Sequence, residues 1–174
     1  IQLGTTLNEE NNPHKLTYGI EYNSFESSRL RKTINNLTSA VENKKDQPDT
    51  TTSRLGIYLQ DEVSYGKLDF IAGVRYDNYD LDAEADAIFL ASSDVGTPLA
   101  ADHSSDALSP SLVASYNWNP SFSTYAKYAK GFRAPSYMEI NSSRNPGYYT
   151  TLSNPDLKAE TSDTFEVGLK HNSK

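Results

Sequence analysis

The chain has 174 residues, a net charge of −7, a pI near 4.9 and no cysteine. Phosphate binding needs clustered Lys and Arg, so this balance argues against a nucleic-acid partner, and the missing cysteines exclude disulfides and thiolate metal sites. Mean hydropathy is −0.65, and no apolar run approaches the roughly 20 residues of a membrane-spanning helix, yet a transmembrane strand needs only about 9–11 residues with alternate ones apolar.

The apolar pattern has a period of two throughout. A short strand is expected at Ile1 to Leu7. Residues 14 to 25 follow, with Leu16, Tyr18, Ile20 and Tyr22 on one face and Thr17, Gly19, Glu21 and Asn23 on the other. The stretch RLGIYLQDEVSYGKLDFIAGVRYDNYDL reads as two strands around Gly66-Lys67, because a glycine in the first turn position suits a two-residue hairpin. That turn sets Tyr65 opposite Leu68, Val63 opposite Phe70, Leu59 opposite Val74 and Ile57 opposite Tyr76. The alternate positions pair Ser64 with Asp69, Gln60 with Gly73 and Tyr58 with Arg75, a mostly polar face. Asp61 interrupts the apolar row opposite Ala72, and a local bulge would re-aim it.

A second hairpin is expected around Asn119-Pro120-Ser121, pairing Trp118 with Phe122, Tyr116 with Thr124, Ala114 with Ala126 and Leu112 with Tyr128. A last strand, TFEVGLKH, sets Phe165, Val167 and Leu169 against Glu166, Gly168 and Lys170. The total is about seven antiparallel strands. Their connections alternate, short at 8–13, 66–67 and 119–121 and long at 32–51, 82–107 and 133–160. All the long ones therefore fall at one end, as in an outer-membrane barrel, whereas a soluble sandwich has no reason to segregate its loops. Tyrosines and Trp118 near strand ends fit aromatic girdles, or serve simply as good strand formers. Seven strands do not close a barrel of even strand number, and both ends look cut, so residues 1–174 are expected to be part of a larger barrel.

The segments FRAP (Phe132, Arg133, Ala134, Pro135) and NPDL (Asn154, Pro155, Asp156, Leu157), the latter followed by KAET and a strand, resemble the paired boxes of TonB-dependent outer-membrane receptors, most closely those for haem and haemoglobin. GIYLQDEV, AGVRYD and NPSFSTYAKYAKGFRAP resemble barrel strands of the same family, so the resemblance covers roughly residues 54–171. It implies a barrel of about 22 strands, filled by an N-terminal plug that is not recognisable in this chain. It also implies a location in the outer membrane and TonB-driven uptake of haem, a haemoprotein or a ferric siderophore, with TonB engaged through the absent N-terminal region. A non-transporting barrel or β-sandwich binding module is the alternative.

Haem receptors of this group commonly carry a histidine between the two boxes, and the segment from Ser136 to Ser153 has none. Tyr148, Tyr149 or Tyr137 could replace it as a haem-iron ligand, or the tyrosines pack against loops or a protein ligand. By topology His14 and His171 fall at the short-turn end, leaving His103 as a ligand residue or a solvated loop residue. Arg133 suits a propionate or siderophore carboxylate, or an ion pair with Glu139 or Glu160 that pins the loop base. Asp77, Asp80, Asp82, Glu84 and Asp86 suggest Ca²⁺ ligation or a solvated strand end, with no fixed ligand order. No nucleophile and base are paired by any motif, so no catalytic residue, resident metal or cofactor is expected; haem would be cargo.

Overall fold

The computed structural model describes residues 1–7, 12–92 and 99–172. Strands β1 (Gln2–Leu7), β2 (His14–Ser27), β5 (Asp49–Tyr65), β6 (Leu68–Glu84), β7 (His103–Asn119), β8 (Phe122–Arg133) and β9 (Glu160–His171) form one antiparallel sheet in that order, with β1 and β9 at its edges. Strands β3 (Arg31–Ile34) and β4 (Val41–Lys44) make a separate hairpin, and two short helices, α1 (Ala87–Ala91) and α2 (Tyr137–Asn141), complete the described elements. The fold is all-β, a section of barrel wall.

The β5–β6 hairpin has the register expected from its sequence at all the pairs named above. Gly66 has φ +63° and Lys67 does not enter the positive-φ region, which is the type II′ pattern whose twist matches the flanking strands. No bulge is present at Asp61, which stays opposite Ala72 in an unbroken ladder. Its charge is met across the β2–β5 pair instead, where the Asp61 carboxylate and His14 Nδ1 lie 2.7 Å apart. In the second hairpin Tyr116, Ala114 and Leu112 keep the expected partners, but Asn119 rather than Trp118 opposes Phe122. The register shifts between Asn117 and Asn119, so the loop shortens to Pro120-Ser121. Trp118 instead stands edge-on to Tyr116 at 4.6 Å and donates its indole N–H to Thr124 Oγ1.

On the apolar face the band runs from Leu55 to Tyr65 on β5, Leu68 to Tyr76 on β6 and Leu108 to Tyr116 on β7. These lengths match the roughly 9–11 residues that carry a tilted strand across a bilayer. Beyond the band the same face turns polar, through Ser53, Asn78, Asp80, Asp82, Asp106 and Ser104, so the strands overshoot it towards the long connections. Tyr18, Tyr22, Tyr65, Tyr76, Tyr116 and Tyr128 share the apolar face. Tyr65 and Tyr116 flank Leu68 at its short-turn end.

The opposite face is polar, and its long side chains lie flat over glycines of the neighbouring strand. A Cβ on Gly56 would overlap the Arg75 guanidinium, one on Gly168 the Tyr125 ring, and one on Gly19 would come within 2.6 Å of the Tyr58 hydroxyl.

The short-turn connections are Gly66-Lys67 and Pro120-Ser121; the one between β1 and β2 includes residues 8–11, outside the described ones. The long connections are 28–48, 85–102 and 134–159; the second and third are shorter than expected because β6 to β8 extend further, and β3, β4, α1 and α2 form inside the three. No described helix is long and apolar enough to cross a membrane. Leu59, midway along the apolar band, supplies the test. Leu59→Arg is expected to lower the unfolding free energy of the membrane-embedded protein by about 2–4 kcal/mol, with the lumen-side Gln60→Arg nearly neutral. Urea titration in lipid vesicles, followed by tryptophan fluorescence, measures both.

Candidate ligand-binding site

The buried residues gather where the long connections meet the polar face. Thr52, Tyr79 and Leu81 at that end of β5 and β6 are buried, as are Phe89 in α1 and Ile140 and Asn141 in α2. Asp86 caps α1, its side chain accepting the Phe89 N–H at 2.7 Å, and its other oxygen accepts from Lys45 Nζ at 2.6 Å. Lys45 also binds both Asp49 oxygens at 2.7 Å, and its backbone N–H donates to Ser92 Oγ. With its side chain only 7% exposed, Lys45 ties connection 28–48 to connection 85–102. The Asp86 carboxyl is held below its ordinary value by Lys45 first and then by the Phe89 N–H.

Connection 134–159 is tied down on both sides. Asn141, fully buried, accepts from the Ala101 N–H at 2.7 Å and donates to the Ala101 carbonyl at 2.9 Å, closing against connection 85–102. Ser143 N–H donates to the Asp46 carbonyl, closing against connection 28–48. The loop base rests on Arg133. It forks onto Glu160 (Nε 2.9 Å, Nη2 2.7 Å) and onto Glu139 (Nη1 3.0 Å, Nη2 3.1 Å). Glu139 also completes a capping box with Ser136, accepting from its backbone N–H at 2.8 Å, so one carboxylate starts the helix and anchors the strand end. Arg133, then the Ser136 backbone and hydroxyl, hold Glu139 down to about 2. Both alternatives for an Arg133 ion pair are therefore realised together.

At the tip, Arg144 and Thr151 exchange backbone hydrogen bonds, and Gly147 turns the chain at φ +102°. Tyr148 and Tyr149 project from this small loop, edge to face at 4.9 Å, with Tyr148 83% exposed.

A family model described as TonB dependent receptor-like, beta-barrel, matches residues 2–174. The chain belongs to this family. Among solved structures, this TonB-dependent receptor section resembles the Serratia marcescens hemophore receptor HasR, in complex with its hemophore HasA and heme (TM-score 0.71, 18% identity, 97% of this chain and 28% of that one). It also resembles the ferric-catecholate import receptor Fiu of E. coli K12 (0.68, 15%, 98% and 28%) and the copper transporter OprC (0.69, 17%, 99% and 27%). The chain spans little more than a quarter of those proteins, and at such identities the likeness concerns fold. No curated protein sequence matches it.

In this receptor section Phe132, Arg133, Ala134 and Pro135 end β8 and open the long connection, with Pro135 buried. Asn154 N–H donates to the Ile140 carbonyl and Asn154 Oδ1 accepts from Asp156 N–H, so the first three residues of Asn154-Pro155-Asp156-Leu157 form a turn held against α2. Tyr137 opens α2. His103 is not a free loop residue: it begins β7 and its Nε2 lies 2.7 Å from Ser105 Oγ. The five acids are not gathered around one ion. Asp77 binds Arg75, Asp86 binds Lys45, Asp80 and Asp82 face the other side, and no described group of three acids or histidines is placed to hold a metal. The loop latch at Lys45 and the recess beside Arg54 were missed in the sequence, where nothing marks them beyond isolated charges.

Two outcomes test the scaffold. Glu139, lowered in the folded chain, stabilises it fully above its ordinary pKa of 4.5, and that contribution fades as pH falls towards about 2. Arg133→Ala is expected to move the Glu139 titration back towards 4.5, read by ¹³C NMR of the carboxyl carbon. Lys45→Met, which strands two carboxylates, should cost about 1–3 kcal/mol of local stability. Faster proteolytic nicking within 28–48 and 85–102 reports it.

Proposed function

We propose that residues 1–174 are part of the barrel wall of an outer-membrane receptor that imports an iron source with energy delivered through TonB, haem or a haemoprotein being the preferred cargo. The observation that carries the reading is the gathering of all long connections at one end of a membrane-length apolar band. There they brace one another and hold up an exposed tyrosine pair. Capture outside the membrane requires such a surface, and binding residues concentrate on loops held by a rigid scaffold. A tyrosine oxygen ligates ferric haem in known haem proteins, and exposed Tyr148 and Tyr149 present two phenols at the loop tip. The resemblance to a hemophore receptor solved with heme is in keeping with this cargo.

The barrel segment itself supplies no covalent chemistry. Its polar face would line the lumen, and the ligand would act by favouring one arrangement of the loops and the plug over another. A ferric siderophore is the second reading, favoured by the arginine-lined recess described below and by the likeness to a ferric-catecholate receptor.

Haemin titration of the receptor carrying this chain tests the preferred cargo. Wild-type protein should bind haemin with a shifted Soret band. Tyr148→Phe or Tyr149→Phe should alter that spectrum and weaken binding about tenfold if that phenol is the axial ligand. Unchanged spectra in both variants remove the tyrosine pair, and the absence of haemin binding removes haem.

A further inference from the structure

On the polar face, beside the start of connection 134–159, a recess of about 330 Å³ brings together Arg54, Arg75 and Arg133, with Asp77, Tyr79 and Phe132 among its walls. The three guanidinium groups are not equally engaged. Arg75 donates Nε to both Asp77 oxygens at 2.8 and 2.9 Å and Nη2 to Glu21 at 3.4 Å. Arg133 spends its donors on Glu139 and Glu160. Arg54 forms no ion pair among the described residues, although its side chain stands between two aromatic rings, 5.7 Å from the Phe25 centroid and 5.3 Å from that of Tyr79.

We propose that Arg54 is the anion-accepting group of a carboxylate subsite, taking one carboxylate of a ligand that enters from the loop end. The Tyr79 hydroxyl engages Arg54 as well, yet ring contacts at these distances steady a guanidinium without consuming its remaining N–H donors. They offset part of the entropy an exposed arginine loses on binding. The planar fork matches a two-oxygen carboxylate. The charge count sets the valence: one unspent positive charge has Asp77 in the same recess and Glu139 and Glu160 just behind Arg133, so a dianion such as phosphate meets added repulsion that a single carboxylate largely avoids. Buried Tyr79 gives the recess an apolar wall for the rest of the ligand. The import reading bears only on what molecule carries the carboxylate, since the subsite is defined by Arg54 and its neighbours.

The test uses the receptor carrying this chain in detergent, with 4-fluorobenzoate and its neutral analogue 4-fluorobenzamide titrated by ¹⁹F NMR. Wild-type protein should prefer the benzoate by about tenfold or more, as a charged hydrogen-bonded pair warrants. Arg54→Gln should bring the ratio close to one, and Arg54→Lys should retain part of it. Circular dichroism confirms that each variant is folded. Equal binding of the two probes by wild type overturns the proposal, and is the result expected if a carboxylate of the receptor itself already occupies Arg54. A preference that survives in Arg54→Gln overturns it as well. Haemin titrated into the same samples is read separately: failure to bind haemin beside an intact benzoate preference sinks the haem reading and leaves the subsite standing.

Discussion

The structure depends on one constraint, that successive side chains of a strand point to opposite faces. Within the apolar band the strands carry an apolar set on one face and a mostly polar set on the other, Asp61 excepted, so sliding a strand by one residue would turn its polar set to lipid and its apolar set to water. The type II′ turn at Gly66 sets that choice locally for β5 and β6, and the ladders to β2 and β7 continue it without a break. The one register shift among the described residues, at Trp118, lies at the short-turn end, where a lost ladder position disturbs neither the band nor the loops.

At the other end the problem is different, since long connections have no ladder to order them. Here polar and charged side chains do what backbone pairing does in the sheet. Lys45 joins two connections, Arg133 joins a strand end, a helix start and the first residue of β9, and Asn141 closes the third connection onto the second. Ion pairs individually contribute little when exposed, but those of Lys45 and Arg133 share a partner with a helix cap or a strand end, so losing one loosens a segment rather than a contact. The tyrosine tip thus stands on a rigid base, which suits capture of a ligand without a large ordering cost.

The fold was legible in the sequence wherever a turn residue and a period of two agreed, as they do around Gly66. It was less so at Trp118, where Asn119-Pro120-Ser121 fits either a three-residue loop or a two-residue turn with an extra residue before it, and only packing against Tyr116 and Thr124 decides. The five-residue helices were missed because they are too short for helical periodicity, although Ser136 and Glu139 stood at capping-box spacing. Asp61 misled for a related reason: its partner, His14, is 47 residues away and on a different strand. Of the site, the Arg133 ion pairs were readable from local chemistry. Arg54 was not, because its neighbours Phe25, Tyr79, Arg75 and Arg133 come from other strands, and contacts across strands are invisible to composition.

The glycines of the polar face carry a consequence for size. Where Arg75, Tyr58 and Tyr125 lie down over Gly56, Gly19 and Gly168, the wall is about one side chain thinner than it would be with both neighbours projecting. The free cross-section of a closed barrel built from such a wall is therefore governed as much by positions that contribute no side chain as by the residues that face the passage, and enlarging those glycines would narrow the passage by lifting Arg75, Tyr58 and Tyr125 off the wall.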